Sequence, residues 1–225
     1  MTDQPGIRER HLLRKLNNPL FGDAHDSIGK DDLAQARLHD GLDKDRFLST
    51  FQNLVERAVN LEPNAPSETV LEIKEQLDQS YEQACSLPGD MSTIKQSIDR
   101  LVAVIMDAVR AGAGGDQLAQ QQLDEEVVAR REHYRLQELP LVAALTHPDS
   151  PVGPHELIPS LLSEDTATLA DALSIFDEQQ LASIVHDAGV FLQQRDPAHQ
   201  LTDAWSRLQL IEDRYRNRQP AHPPN

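Results

Sequence analysis

Apolar residues recur three and four positions apart along most of this chain, and no stretch alternates between apolar and polar residues with a period of two. Spacings of three and four place the apolar side chains on one side of an α-helix. The pattern therefore predicts an all-α protein. The clearest stripes are Phe47, Phe51, Leu54 and Ala58; Val70, Ile73, Leu77, Tyr81 and Ala84; Ile94, Ile98, Leu101, Val102, Ile105, Ala108 and Val109; and Leu123, Val127 and Tyr134.

Four long helices are predicted in the N-terminal part of the chain. Ser67 and Asp90 are the predicted N-caps of the second and third, and Pro140 kinks or ends the fourth. The third helix has the widest apolar stripe, which predicts a central place in the core. Short links between long helices predict an up-down bundle. The predicted bounds are Asp43 to Pro63, Ser67 to Pro88, Asp90 to Ala111 and Asp116 to Glu138.

Shorter helices are predicted after the segment HPDSPVGPH, whose three prolines and one glycine indicate a rigid connector. One helix covers Glu156 to Leu162, and another follows Asp165. A third is capped by Asp177 with Gln180, and the last covers His199 to Arg218. The predicted domains are a basic amphipathic helix with an acidic linker (1–40), a long-helix bundle (41–146), the connector (147–155), an acidic short-helix bundle (156–218) and a disordered tail (219–225).

Charge is distributed unevenly along the chain. The formal net charge is -16, and the stretch from Pro151 to Ser206 holds nine carboxylates and one cation, Arg195. A surface of this sign repels nucleic acid and anionic lipid and attracts basic partners. We therefore expect a protein partner with a basic surface and no nucleic-acid ligand. The residues predicted to contact that partner are Glu164, Asp171, Glu178, Asp187, Arg207, Arg214 and Arg218.

The N-terminal segment has the opposite character. Its cations face away from the apolar residues Leu12, Leu13, Leu16 and Leu20, which predicts a basic amphipathic helix. We expect this helix to pack on the acidic residues of its own chain, since their local concentration is high. Docking on a partner or on an anionic membrane is the alternative. The cations are Arg8, Arg10, Arg14 and Lys15.

Composition bounds the class of protein. An apolar fraction of 39% with 26% charged residues is typical of a globular chain. No window approaches the roughly 18 to 20 apolar residues of a membrane span, and no signal-peptide core is present. Cys85 is the one cysteine and cannot form an internal disulfide, which fits a reducing compartment. We expect a cytoplasmic protein without integral membrane association, and the sequence leaves a homo-oligomer open.

His186 and Asp187 are adjacent in the segment LASIVHDAG. This dipeptide resembles the His-Asp pair of the HD-type metal phosphohydrolases, which are also all-helical. The resemblance implies one or two metals, held by a preceding His, by the pair itself and by a later Asp. His155 would be that preceding His, and Asp203 or Asp213 the later carboxylate.

Two features of the segment depart from that family. On a helix, His186 lies roughly 140° and Asp187 roughly 120° from Leu181, which belongs to the apolar stripe, so both are predicted to face solvent. The Lys that commonly follows the pair is absent, and Gly189-Val190-Phe191 stands in its place.

Glu126 and His133 are seven residues apart on the predicted fourth helix and share a face. Carboxylate-bridged metal bundles use Glu-x-x-His on two helices, a spacing that this chain lacks. We therefore expect an exposed surface here, with an ion pair between Glu126 and Arg130. His147 and His155 flank the connector without further ligands at zinc spacing. The sequence predicts no metal site and no cofactor.

The sequence thus predicts a non-catalytic helical adaptor or regulatory protein that binds its partner through an acidic surface. An HD-like metal-dependent phosphohydrolase is the first alternative, and an acidic protein that mimics nucleic acid is the second.

Overall fold

The structure is a computed structural model that describes residues 4–22, 28–62, 65–112, 117–147 and 152–218. The predicted disordered tail, the glycine-rich link at 113–115 and the middle of the proline-rich connector lie outside them. The described residues form α-helices, two short 3-10 helices and no strand, which confirms the all-α prediction. The α-helices are α1 (Ile7–Asn17), α2 (Lys30–Val59), α3 (Ser67–Ser86), α4 (Ser92–Gly112), α5 (Gln117–Gln137), α6 (Pro140–Thr146), α7 (Pro154–Ser163), α8 (Thr166–Ala172), α9 (Glu178–Arg195) and α10 (Thr202–Arg218).

The described residues fall into two compact units. Unit 1 takes residues from Met1–Leu12 and Gly29–Asp149, and unit 2 takes residues from Leu13–Ile28 and Ser150–Asn225. The chain enters unit 2 within α1 and returns to unit 1 at Gly29. An N-terminal bundle followed by a C-terminal bundle therefore stays a prediction. No described helix is both long enough and apolar enough to cross a bilayer.

Unit 1 is organised around α3. This helix contacts α2, α4, α5 and α6, and its Leu77 is fully buried together with Ile98 and Val102 of α4. The helix after Asp90, which the sequence places at the centre, contributes Ile98, Val102, Ile105 and Met106 to the same core, while α3 contacts more of the other helices. The predicted apolar stripe of that helix, α4, is wider than its buried side, because Ala108 is exposed.

Helix α2 begins at Lys30, so part of the predicted acidic linker forms its first turns. Ala36 and Asp40 are buried in this part. The Asp40 carboxylate accepts the N–H groups of Arg8 and Glu9, at 3.3 and 3.2 Å, from the first turn of α1. The pattern of apolar residues does not predict these turns of α2, because the carboxylate of Asp40 occupies the buried side and Leu38 faces outward.

The residues of unit 1 that are predicted to start or end helices are confirmed only in part. Asp90 accepts the N–H of Ser92 at 2.9 Å, but α4 begins at Ser92, so Met91 occupies the N-cap position and Asp90 precedes it by one residue. Ser67 makes no cap hydrogen bond and is the first helical residue, because Pro66 occupies the N-cap position. After Pro140 the chain forms a separate helix, α6, whose Leu141 is fully buried.

Unit 2 confirms the two predicted capping residues. Asp165 Oδ1 accepts the N–H groups of Ala167 and Thr168, at 3.0 and 2.9 Å. Asp177 Oδ1 accepts the N–H of Gln180, and Gln180 Oε1 accepts the N–H of Asp177, both at 2.8 Å. Helices α7 to α10 then pack around a leucine-rich core. Its fully buried members include Leu161, Leu169, Leu173, Leu181, Leu192 and Ile211.

Asp196 joins α9 to α10. Its carboxylate accepts the N–H groups of Gln200 (2.9 Å) and Leu201 (2.7 Å) and the indole N–H of Trp205 (3.0 Å). Burial opposes ionisation of Asp196, but these donors outweigh it and hold the pKa of the carboxyl below its ordinary value. The turn passes through His199, whose φ is 54°, so α10 starts at Thr202 and not at the predicted His199.

Replacing Leu77 by Ala should lower the free energy of unfolding by about 2 to 5 kcal/mol, because it leaves a cavity in a fully packed core. Leu71→Ala is the matched control on the same helix. Leu71 is 55% exposed, so its loss should change stability by no more than about 0.5 kcal/mol. Urea unfolding followed by far-UV circular dichroism measures both. Equal losses would contradict the assignment of α3 as the central helix.

Asp196→Asn should lower the midpoint of urea unfolding at neutral pH. Trp205 is the only tryptophan of the chain, so its fluorescence reports unfolding of unit 2 directly. A lowered carboxyl pKa stabilises the fold above the unfolded value of about 3.9, and this contribution is lost as the pH falls through the folded value. The wild-type midpoint should therefore fall further than that of Asp196→Asn on acidification. Asp187→Asn, at an exposed position, should behave like the wild type.

Candidate functional site

The basic residues of α1 contact residues of their own chain, as the sequence predicted. In unit 1, Arg8 Nη1 lies 3.2 Å from Asp40 Oδ1 and 2.5 Å from Asp43 Oδ2. Arg10 donates to the backbone carbonyl of Cys85 at 2.9 Å. In unit 2, Arg14 pairs with Glu164 and Lys15 with Glu156. The cations of α1 are therefore engaged within the two units.

Glu164 is the first of the predicted partner-binding residues. Its side chain is 15% exposed, and it forms an ion pair with Arg14. Burial raises the pKa of this carboxyl, while the guanidinium of Arg14 opposes that shift. Arg14, Glu164 and Arg207 line a cleft of about 570 Å³ in unit 2. The structure thus brings two predicted residues together, with Glu164 already neutralised by an internal cation.

The arginines of α10 bind backbone carbonyls more than carboxylates. Arg207 Nε donates to the carbonyl of Glu164. Arg218 donates to the carbonyls of Phe176 and Ser174. These contacts hold α10 against the ends of α7 and α8. Arg214 is exposed and makes no ion pair with the described residues.

The remaining predicted carboxylates are spread over the surface of unit 2. Asp171 is half-buried in α8, and Glu178 and Asp187 are exposed on α9. The last two are nine residues apart, which places them about 180° apart around the helix axis. They do not form one face. At least five of the nine carboxylates of this stretch have roles in the fold, namely Glu156, Glu164, Asp165, Asp177 and Asp196.

A more continuous acidic and apolar surface lies on α2 in unit 1. Leu38 is 62% exposed and Leu42 is 51% exposed, one turn apart on the solvent side of the helix. Asp31 and Asp45 stand seven residues before and after Leu38, so they bracket the leucines on the same side. We call this row the α2 strip; it consists of Asp31, Ala34, Leu38, Gly41, Leu42 and Asp45.

Two carboxylates of the α2 strip form no ion pair among the described residues. The ion pairs of α2 use other side chains, and neither Asp31 nor Asp45 has a partner there. The nearest cations of the helix, Lys30 and Arg46, stand about 80° from Leu38 around the helix axis, one on each side of the strip. The strip therefore combines exposed apolar surface with two unpaired carboxylates.

Sequence reasoning missed this surface because it assigned residues up to 40 to a linker. Ala34, Leu38 and Leu42 repeat at a spacing of four, and no proline interrupts them. Asp32 also signals a helix start, since its carboxylate accepts the N–H of Gly29 at 2.7 Å. Together, the spacing of four and the capping carboxylate indicate that α2 begins before residue 40.

The residues considered as metal ligands do not lie close together in the structure. His186 and Asp187 are both exposed on α9, as the helical geometry predicted, and His155 is exposed on α7. Across the described ranges, no three His, Cys, Asp or Glu side chains come together in a group that would hold a metal ion. The ligand set implied by the HD resemblance is therefore not assembled by these residues.

The predicted ion pair between Glu126 and Arg130 is wrong. Glu126 binds Lys74 at 2.7 Å, whereas Arg130 turns inward and binds Asp99 at 3.0 Å. Arg130 is buried because its guanidinium lies over the ring of Tyr134, with 5.0 Å between the guanidinium carbon and the ring centroid. His133 contacts Glu82 at 2.6 Å. These contacts connect α5 to α3 and α4.

Cys85 packs beside this core. Burial raises the pKa of its thiol to about 12, despite the opposing effect of Lys95. A thiol with this pKa stays protonated at neutral pH and is a poor nucleophile. Cys85 is therefore a packing residue at the edge of the core of unit 1.

Comparison with known proteins gives no assignment: no family model matches this chain, and no curated protein and no solved structure matches it.

Proposed function

We propose that this chain is a non-catalytic helical adaptor or regulatory protein that binds a protein partner with a basic surface. The interaction surface is the α2 strip. The observation that carries the proposal is the exposure of Leu38 and Leu42 between Asp31 and Asp45, two carboxylates that form no ion pair within the described part of the chain. Exposed leucines at adjacent turns are a common feature of surfaces that become buried in a complex.

The sign of the charge selects the partner. Asp31 and Asp45 attract Lys or Arg side chains at the edge of a contact, and the overall charge of -16 speeds the approach of a basic protein. The same field repels the phosphates of nucleic acid and anionic lipid headgroups. The apolar centre contributes affinity, because each leucine loses the water that now covers more than half of its surface.

The carboxylates Asp171, Glu178 and Asp187 remain a proposed second contact in unit 2. Their separation around α8 and α9 favours contributions to long-range attraction over a common docking face. We propose the cytoplasm as the compartment, because a chain whose one cysteine is partly buried and protonated fits a reducing environment.

Recovery of the partner from a lysate of the source cell, followed by titration of the purified pair, tests the proposal. Leu38→Ser with Leu42→Ser should weaken binding by about tenfold or more, since the contact loses its apolar centre. Asp31→Asn with Asp45→Asn should weaken binding roughly two- to fivefold at low salt and reduce its salt dependence. Isothermal titration calorimetry at two salt concentrations measures both effects.

Two further variants serve as controls. Glu68→Gln with Glu125→Gln makes the same change in net charge at exposed positions of α3 and α5, and it should leave binding unchanged. Asp171→Asn with Glu178→Gln and Asp187→Asn tests the second contact in unit 2. Binding that survives both changes to the α2 strip at full strength would refute this assignment of the surface.

A further inference from the structure

No described residue outside the surrounding turns of α2 packs against the position of Gly41. It lies within the 30-residue helix α2, where glycine lowers helix stability by about 1 kcal/mol relative to alanine. A Cβ added at Gly41 would meet no atom within 4 Å. Gly6 shows the opposite case: a Cβ there would lie 2.3 Å from Cγ of Asp40, so close packing requires that glycine.

Small residues form one edge of the α2 strip. Ala34 and Gly41 are seven residues apart and share a side of α2, beside the ridge made by Leu38 and Leu42. Helices pack when the side chains of one helix fit into the shallow groove beside a row of large side chains on the other. The missing side chain at Gly41 allows the backbone of such a helix to approach closely.

The position of the charges sets the length of the contact. Asp31 and Asp45 are fourteen residues apart, which corresponds to about 21 Å along the helix axis. A straight segment of the partner that contacts both carboxylates and also covers Leu38 and Leu42 must run nearly along the axis of α2. Helices that cross at about 20° keep contact over this distance.

We propose that the partner element is a basic amphipathic α-helix that packs lengthwise on the α2 strip, with its backbone close to Gly41. This inference rests on the proposed function, and it specifies the structure of the partner. The docking helix carries two apolar residues one turn apart, with Lys or Arg about two turns beyond one of them and about one turn beyond the other. Its apolar residues cover Leu38 and Leu42, and its cations pair with Asp31 and Asp45.

A second copy of this chain is a poor occupant of the same surface. In an antiparallel pair of α2 helices related by a two-fold axis, Asp31 of one copy faces Asp45 of the other. A parallel pair places identical carboxylates side by side. Both arrangements bring like charges together at each end of the contact, which opposes self-association.

The test uses the full-length protein and a synthetic helical peptide with two leucines bracketed by lysines in this spacing. Fluorescence anisotropy of the labelled peptide should show saturable binding. A second peptide, with one central residue replaced by proline, should bind at least tenfold more weakly because it cannot form a continuous helix. Absence of binding by the first peptide in the millimolar range, or equal binding of both peptides, would overturn the inference.

Gly41→Leu separates docking from folding. It should raise Tm by a few degrees, since leucine is the better helix former and its side chain meets no obstacle, yet weaken peptide binding about tenfold or more. Gly189→Leu on α9 is the matched control, because a Cβ there also meets nothing within 4 Å. It should leave peptide binding unchanged.

The outcomes distinguish this inference from the proposed function. Suppose that Leu38→Ser with Leu42→Ser abolishes binding of the native partner, while Gly41→Leu leaves the binding of both the native partner and the peptide intact. The α2 strip is then confirmed as the binding surface, and the inference of a closely packed helix is wrong. Sedimentation equilibrium tests whether a second copy of this chain occupies the α2 strip. A concentration-dependent dimer that Gly41→Leu disrupts would show that it does, and this result would overturn the proposal of a basic helix.

Discussion

The burial of Asp40 fixes the orientation of α2 in unit 1. This carboxylate is 2% exposed and accepts two backbone N–H groups from the first turn of α1 together with the guanidinium of Arg8. A buried carboxylate is stable only when such donors satisfy it, so α2 cannot rotate about its axis without leaving a charge unpaired in the interior. The close approach also depends on Gly6, where any side chain would collide with Asp40.

The exposure of Leu38 and Leu42 follows from this constraint. Asp40 and Phe47 point inward, so the residues on the opposite side of the helix face water. Arg8 of α1 binds Asp40 and Asp43, and it binds neither Asp31 nor Asp45. The interactions that stabilise α1 on α2 thus leave both properties of the α2 strip, its apolar centre and its unpaired carboxylates.

What the sequence predicted depended on how local each interaction is. Asp165 and Asp177 cap helices through N–H groups two or three residues away, so their roles were readable from spacing alone. Arg130 looked like a partner of Glu126 one turn away, but the ring of Tyr134 and the carboxylate of Asp99 bury it. The burial of Asp40 could not be predicted for the same reason, since the donors that satisfy its carboxylate lie more than thirty residues earlier.

Gly6 and Gly41 show how the structure separates residues needed for folding from residues available for binding. Both are small, and sequence alone treats them alike. At Gly6 the reason for glycine lies inside the chain, because Asp40 fills the space that a Cβ would need. At Gly41 the space is empty, so glycine only weakens the helix. The same open space is found at Gly189, so what distinguishes Gly41 is its position beside Leu38 and Leu42 on the α2 strip.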